Sequence, residues 1–214
     1  MKKIIKENII PITIWTIFEI IAITLFLSTK KIFYLLNFTY IGTCVGAGIS
    51  LMIYKKKYAR HFVQLGVGIY MLIYLGILSR ENMQIEGFWY YLFLGVFEAA
   101  TIHYFVAKIC GPLFFGRGWC GYACWTAMVL DLLPYKTPKE DRKKLGWIRY
   151  IVFLISLLSV SALFILKVAN LENIMFWSFI IGNLIYYILG IALAFIFKDN
   201  RAFCKYICPI AVFL

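Results

Sequence analysis

Long apolar stretches alternate with short polar segments along most of the chain. A helix needs about 20 mainly apolar residues to cross the hydrocarbon core of a bilayer. The segments of about 10 residues with alternating polarity that form membrane β-barrels are not seen. The pattern therefore predicts an all-α, polytopic membrane protein with about six transmembrane helices. The predicted spans are residues 9–28, 32–54, 62–79, 88–107, 150–167 and 178–197.

The same pattern predicts how the chain is organised. We expect a single transmembrane domain over residues 1–214, with an N-terminal block of three helices over residues 1–87. Residues 88–214 are predicted to form two units, each a helix followed by a cysteine motif. The first apolar run is longer than the core of a signal peptide and is not followed by a small-residue cleavage site. We therefore expect it to be retained as the first helix.

Composition and charge support a membrane location. Hydrophobic residues make up 63% of the chain and charged residues 15%, whereas a soluble domain is nearer half apolar and a quarter charged. The net charge is +12, and eighteen of the 22 Lys and Arg residues fall on one side of the predicted topology. Basic loops remain in the cytoplasm, so both termini are predicted to be cytoplasmic in the cell membrane. The positive charge is expected to face anionic lipid rather than nucleic acid.

Two short segments, roughly eighty residues apart, repeat one pattern: Arg-x-aromatic-Cys-x-Tyr-x-Cys. We call them the first box, residues 117–124, and the second box, residues 201–208. Both follow a predicted span and fall on the predicted cytoplasmic side, where a standing structural disulfide is not expected. Four of the six cysteines lie in the boxes: Cys120, Cys124, Cys204 and Cys208.

The cysteine spacing indicates metal or redox chemistry. Residues at i and i+4 share one face of a helix, so each pair is expected to present two thiolates together. Four thiolates complete an iron–sulfur or a zinc site. Copper or zinc handling and a thiol–disulfide relay remain alternatives. Cys44 and Cys110 have no partner in the pattern and are expected to have packing roles.

Several neighbours of the cysteines are expected to tune this centre. Cationic side chains offset the negative charge of thiolates and lower their pKa. Aromatic side chains directly before the first cysteine of each box are expected to exclude water. The tuning residues predicted in this way are Arg117, Arg201, Lys205, Trp119 and Phe203.

Ionisable groups inside predicted spans are candidates for proton transfer or for contact with a quinone headgroup. Glu98 and His103 lie on the fourth predicted span, which leads into the first box, and Glu19 lies on the first span. The alternative for each carboxyl is a neutral, hydrogen-bonded group in a helix interface.

Three segments, residues 114–124, 131–134 and 199–209, resemble the membrane polyferredoxins, a family of 4Fe-4S-binding membrane proteins. That family includes the membrane quinol-dehydrogenase component of periplasmic nitrate reductase and the nitrous-oxide reductase maturation protein. The resemblance implies that Cys120, Cys124, Cys204 and Cys208 are redox or metal ligands. It also implies electron transfer as a subunit of an oxidoreductase, with a ferredoxin or flavoprotein partner and a quinone.

The chain departs from this family at two points. Trp125 follows the first box where the family usually has proline, although Pro209 follows the second box. The Cys-x-x-Cys-x-x-Cys-x-x-x-Cys-Pro run of the family's ferredoxin domain does not occur in the sequence. We therefore expect this chain to be a fragment, one half of a split gene or a minimal version.

Overall fold

The computed structural model describes residues 8–96, 105, 117–136 and 144–213, with residues 117–119 and 213 described by their backbone alone. The described chain consists of helices joined by turns, with no strand, so the all-α prediction is confirmed. It divides into two compact units, one ending at Gly68 and the other beginning at Ile69. The α-helices are α1 Ile9–Thr29, α2 Ile32–Ile53, α3 Ala59–Ile69, α4 Ile85–Leu94, α5 Arg117–Ala123, α6 Trp125–Leu130, α7 Ile148–Ile165, α8 Leu171–Phe197 and α9 Ala202–Tyr206.

Shorter or irregular helices complete the architecture. Helix α3 continues as a π-helix over Tyr70–Leu78, and a 3₁₀ turn over Lys144–Trp147 leads into α7. A second 3₁₀ helix, Pro209–Phe213, follows α9. In the described residues, five helices are long and apolar enough to cross a membrane. Their bounds are Ile9–Thr29, Ile32–Ile53, Ala59–Leu78, Lys144–Ile165 and Leu171–Phe197.

In the N-terminal unit, α1 and α2 form an antiparallel pair. The Trp15 indole donates a 3.2 Å hydrogen bond to Thr43, and the Thr39 hydroxyl donates a 2.9 Å bond to the Glu19 carboxylate. Glu19 is therefore hydrogen-bonded at a helix interface. Gly42 permits the close approach of the two helices, because a Cβ there would lie 2.5 Å from the Phe18 Cβ.

The predicted span over residues 88–107 is not one continuous helix. Helix α4 ends at Leu94, and Gly95 takes a left-handed conformation with φ of 68°. A glycine in this conformation is a common helix terminator because it lacks a Cβ. The predicted span therefore fails as a single helix at Gly95.

The segment before α4 descends along α8. At one end, Arg80 donates a 2.9 Å hydrogen bond to Asn173, near the start of α8. Four residues later, the side chain of Gln84 lies against Gly182, in the middle of α8. An extended chain of four residues covers about 13 Å, which matches the rise of α8 between these two contacts.

Helix α4 then returns toward the end from which the segment came. Phe93, near its C-terminus, packs edge-on against Phe164 at the end of α7, with ring centroids 5.5 Å apart. Residues 80–94 thus form a re-entrant segment, whose tip around Gln84 lies beside the middle of α8. The irregular backbone before α4 is enclosed by protein, because Asn82, Met83, Gln84 and Ile85 are all buried.

Candidate metal centre

The two boxes follow the same backbone course. In the first box, α5 ends at Ala123, and Cys124 is extended, with φ of −89° and ψ of 120°. The Cys124 carbonyl accepts a 3.0 Å bond from the Met128 amide and so starts α6. In the second box, α9 ends at Tyr206, and the Cys208 carbonyl accepts a 3.1 Å bond from the Ala211 amide. Each box is therefore a short helix that breaks at its second cysteine.

This geometry corrects one prediction: neither cysteine pair lies on one face of a continuous helix. Cys208 precedes Pro209, and a residue before proline is disfavoured in the α conformation. Cys124 has no proline after it, yet it occupies the equivalent break. The i, i+4 argument failed because it assumed a helix that extends through both cysteines.

The fold brings both boxes to one place. Cys124 from the first box and Cys204 and Cys208 from the second line a single cavity of about 30 Å³. Cys120 lies close enough to Cys204 for their charges to interact. In the described residues, no group of three or more His, Cys, Asp or Glu side chains is arranged to hold a metal ion. Three of the four box thiols therefore border one shared space.

Aromatic and aliphatic side chains form most of the cavity wall. Phe203 is buried, and the centroid of its ring lies 5.0 Å from the ring centroid of Tyr186 on α8. Phe203 therefore lies in the cavity wall, and its tuning role stays a prediction. The cavity lining, apart from the cysteines, consists of Met83, Gln84, Ile85, Trp125, Thr126, Tyr186, Phe203, Pro209 and Ile210.

An ion pair joins the two boxes beside this cavity. Asp131 directly follows α6, and its carboxylate lies 2.5 Å from the Arg201 guanidinium at the start of the second box. The Asn200 amide donates a 3.2 Å bond to the other carboxylate oxygen of Asp131. Arg201 also forms a side-chain hydrogen bond with Cys204. Arg201 is thus shared between a carboxylate and a cysteine.

Burial and charge act in opposite directions on Cys204. Burial raises the pKa of its thiol to about 12, the Arg201 guanidinium lowers it, and Cys124 and Cys120 raise it. The Cys204 thiol is therefore protonated at neutral pH in the protein alone. Since a metal binds the thiolate, ligation at Cys204 would release a proton.

Of the remaining predicted tuning residues, the structure describes the side chain of Lys205 but not those of Arg117 and Trp119. Lys205 pairs with Asp199 at 2.6 Å, so a carboxylate offsets its charge. Arg117 and Trp119 lie on α5, and their side chains are outside the described residues, as are Glu98, His103 and Cys110. Their predicted roles remain predictions.

The cavity lies beside the middle of α8. The Trp125 indole donates a 2.7 Å bond to Asn183, which is the thirteenth of the 27 residues of α8. At 1.5 Å per residue, Asn183 is about 20 Å from either end of this helix. The cavity is therefore distant from both ends of the longest span.

Sequence reasoning missed four polar residues around this site: Gln84, Glu86, Asn183 and Tyr186. Asn183 was detectable, because it is an amide within an otherwise apolar span. Glu86 lies two residues before the predicted span over residues 88–107, and one of its carboxylate oxygens is buried without a hydrogen-bond partner among the described residues. Gln84 carried no recognisable signal, since the re-entrant course of residues 80–94 was not predicted.

Comparison with known proteins supports an iron–sulfur-binding protein. The family model of a 4Fe-4S binding domain matches residues 102–140 and 174–214, so each matched stretch contains one box. No curated protein and no solved structure matches the chain. The two matches support a cluster of the 4Fe-4S type, and the fold places three box thiols at one cavity, with Cys120 near Cys204.

Proposed function

We propose that this protein is a membrane electron-transfer protein that holds one [4Fe–4S] cluster between its two boxes. The observation that carries the proposal is the shared cavity, which Cys124 lines together with Cys204 and Cys208. The match of both boxes to a 4Fe-4S binding domain gives independent support. When bound, the cluster would supply one-electron oxidation and reduction.

Cys120, Cys124, Cys204 and Cys208 are the proposed ligands. A cluster separates its cysteine ligands by its own iron and sulfide atoms, whereas a single ion draws all its ligands to one point. Three thiols that line one cavity, with the fourth near Cys204, suit the first arrangement. The breaks at Cys124 and Cys208 orient the second cysteine of each pair independently of its helix.

Arg201 is proposed to offset part of the negative charge of the four thiolates. Its hydrogen bond with Cys204 favours the thiolate, and its ion pair with Asp131 fixes its position. Phe203 and Trp125 are proposed to keep water away from the cluster, which strengthens these electrostatic effects. Side chains therefore set the charge and solvation of the centre.

The proposed setting is the cell membrane, with the segments that carry the boxes entering the protein from the cytoplasmic side. The five apolar spans support a membrane location, and the excess of Lys and Arg around the boxes supports this orientation. By resemblance to the membrane polyferredoxins, the redox partners are a ferredoxin or flavoprotein and a quinone, within an oxidoreductase.

Metal analysis of the purified protein tests this proposal. The full chain is isolated anaerobically, and its iron, acid-labile sulfide, copper, zinc and visible spectrum are measured. We expect a brown protein with equal amounts of iron and sulfide and an absorption band that bleaches on reduction. A variant with all four box cysteines replaced by alanine is the control and should be colourless. A colourless wild-type protein with stoichiometric copper or zinc would instead establish metal handling and overturn the proposal.

A further inference from the structure

Gln84 lines the cysteine cavity but belongs to neither box. It lies at the tip of the re-entrant segment, residues 80–94, and is 4% exposed. Its side chain lines the same cavity as Cys124, Cys204 and Cys208. Gln84 is therefore a polar residue in the cavity wall, contributed by the re-entrant segment.

The backbone of Gln84 is held by Asn82. The Gln84 amide N–H donates a 2.9 Å bond to the Asn82 side-chain oxygen, and the Asn82 side-chain nitrogen donates a 2.9 Å bond to the Met175 carbonyl of α8. All three residues are buried. These two bonds fix the tip of the re-entrant segment to α8.

The position of the Gln84 side chain depends on Gly182. A Cβ at Gly182 would collide with the side-chain oxygen of Gln84 and lie 3.3 Å from its nitrogen. The amide therefore occupies the space that any larger residue at position 182 would fill. Backbone and side chain are both constrained, so the amide is preorganised at the cavity.

The amide nitrogen of Gln84 lacks an acceptor. Nε2 is buried and has no hydrogen-bond partner among the residues that the structure describes. A buried donor without an acceptor is costly, and native structures rarely retain one without a reason. Most of the residues that share the cavity are apolar, and the sulfur atoms of a bound cluster and its thiolates would be the acceptors there.

We propose that the Gln84 side-chain amide donates a hydrogen bond to a sulfur atom of the cluster centre and raises its reduction potential. This inference rests on the proposed function. Reduction adds negative charge, and a donor to sulfur stabilises the more negative state, so the bond favours reduction. Gln84 therefore changes the reduction potential of the centre without binding its iron.

A redox titration with matched glutamine variants tests the effect on the potential. Gln84→Met keeps the length of the side chain and removes its donor. Gln64→Met alters the chain's other glutamine, which is buried in α3. We expect both variants to keep the wild-type iron content. The midpoint potential should be lower in Q84M and unchanged in Q64M. Gly182→Ala, which displaces the amide, should also lower the potential. Equal potentials in wild type, Q84M and Q64M would overturn the inference.

A spectroscopic measurement on the Q64M chain tests the bond directly, even where Q84M fails to assemble. With Gln64 replaced, glutamine labelled with ¹⁵N in its side chain marks Gln84 alone. Pulsed electron paramagnetic resonance of the reduced cluster should show coupling to this nitrogen. Absence of the coupling would overturn the inference while leaving the cluster established. Absence of any cluster in the wild-type protein would overturn the proposed function itself.

Discussion

The indole nitrogen of Trp125 donates a 2.7 Å hydrogen bond to the side-chain oxygen of Asn183, at the midpoint of α8. Asn183 in turn donates a 2.8 Å bond to the Phe179 carbonyl, so its polar groups are satisfied within the buried helix interface. Trp125 occupies the position where the membrane polyferredoxins usually have proline. In this chain the residue after the backbone break at Cys124 is Trp125, and its hydrogen bond to Asn183 connects the first box to α8.

Replacement of Trp125 by phenylalanine should lower the stability of the protein. The change leaves the Asn183 oxygen buried without its donor, which costs about 1–3 kcal/mol. The check is the unfolding free energy in detergent, by titration with denaturant. The control is the double variant Trp125→Phe, Asn183→Leu, which removes both partners. The double variant should lose less unfolding free energy than the two single variants, Trp125→Phe and Asn183→Leu, lose together. A loss equal to the sum of the two single losses would show that the bond contributes nothing.

The Asp131–Arg201 ion pair is expected to hold the boxes together. Asp131→Asn keeps the size of the side chain but removes the charge that compensates the buried guanidinium. Hydrogen bonds to charged groups contribute about 1.5–3 kcal/mol, so a loss of about 2 kcal/mol in unfolding free energy is expected. Less iron should also be retained after dilution into chelator.

The exposed Glu172 in the first turn of α8 provides the matched control for this carboxylate. Glu172→Gln should cost less than about 1 kcal/mol, because Glu172 is exposed and its charge acts mainly on the helix dipole. Equal losses in the two variants would show that the cross-box pair has no special role.

Apolar periodicity and residue patterns predicted the spans and the boxes, but not how the boxes meet. Five spans were predictable because the membrane requires about 20 apolar residues in each. The cysteine repeat was recognisable because residue types recur at fixed spacing. The contacts of Trp125 with Asn183 and of Gln84 with Gly182 join residues about 60 and 100 positions apart. Such pairings depend on tertiary packing, and no local pattern specifies them.

The depth of the cavity along α8 predicts a centre shielded from water. Asn183 is about 20 Å from either end of α8. This distance is longer than half of the roughly 30 Å hydrocarbon core, so the cavity is expected near the centre of the bilayer. In lipid nanodiscs, a water-soluble nickel chelate should therefore have little effect on the microwave power saturation of the reduced cluster. Lipids spin-labelled at the headgroup and at the chain end calibrate the depth. Enhancement as strong as that of the headgroup label would place the centre at the membrane surface.

The central claim is that both boxes hold one centre, and single cysteine variants test it most directly. Iron and sulfide are measured per chain after anaerobic purification of Cys120→Ala, Cys124→Ala, Cys204→Ala and Cys208→Ala. Cys44→Ala, in the N-terminal unit, is the control. We predict that each box variant loses most of the iron and sulfide, while the control retains the wild-type content. Full iron and sulfide in both variants of one box would contradict a shared centre.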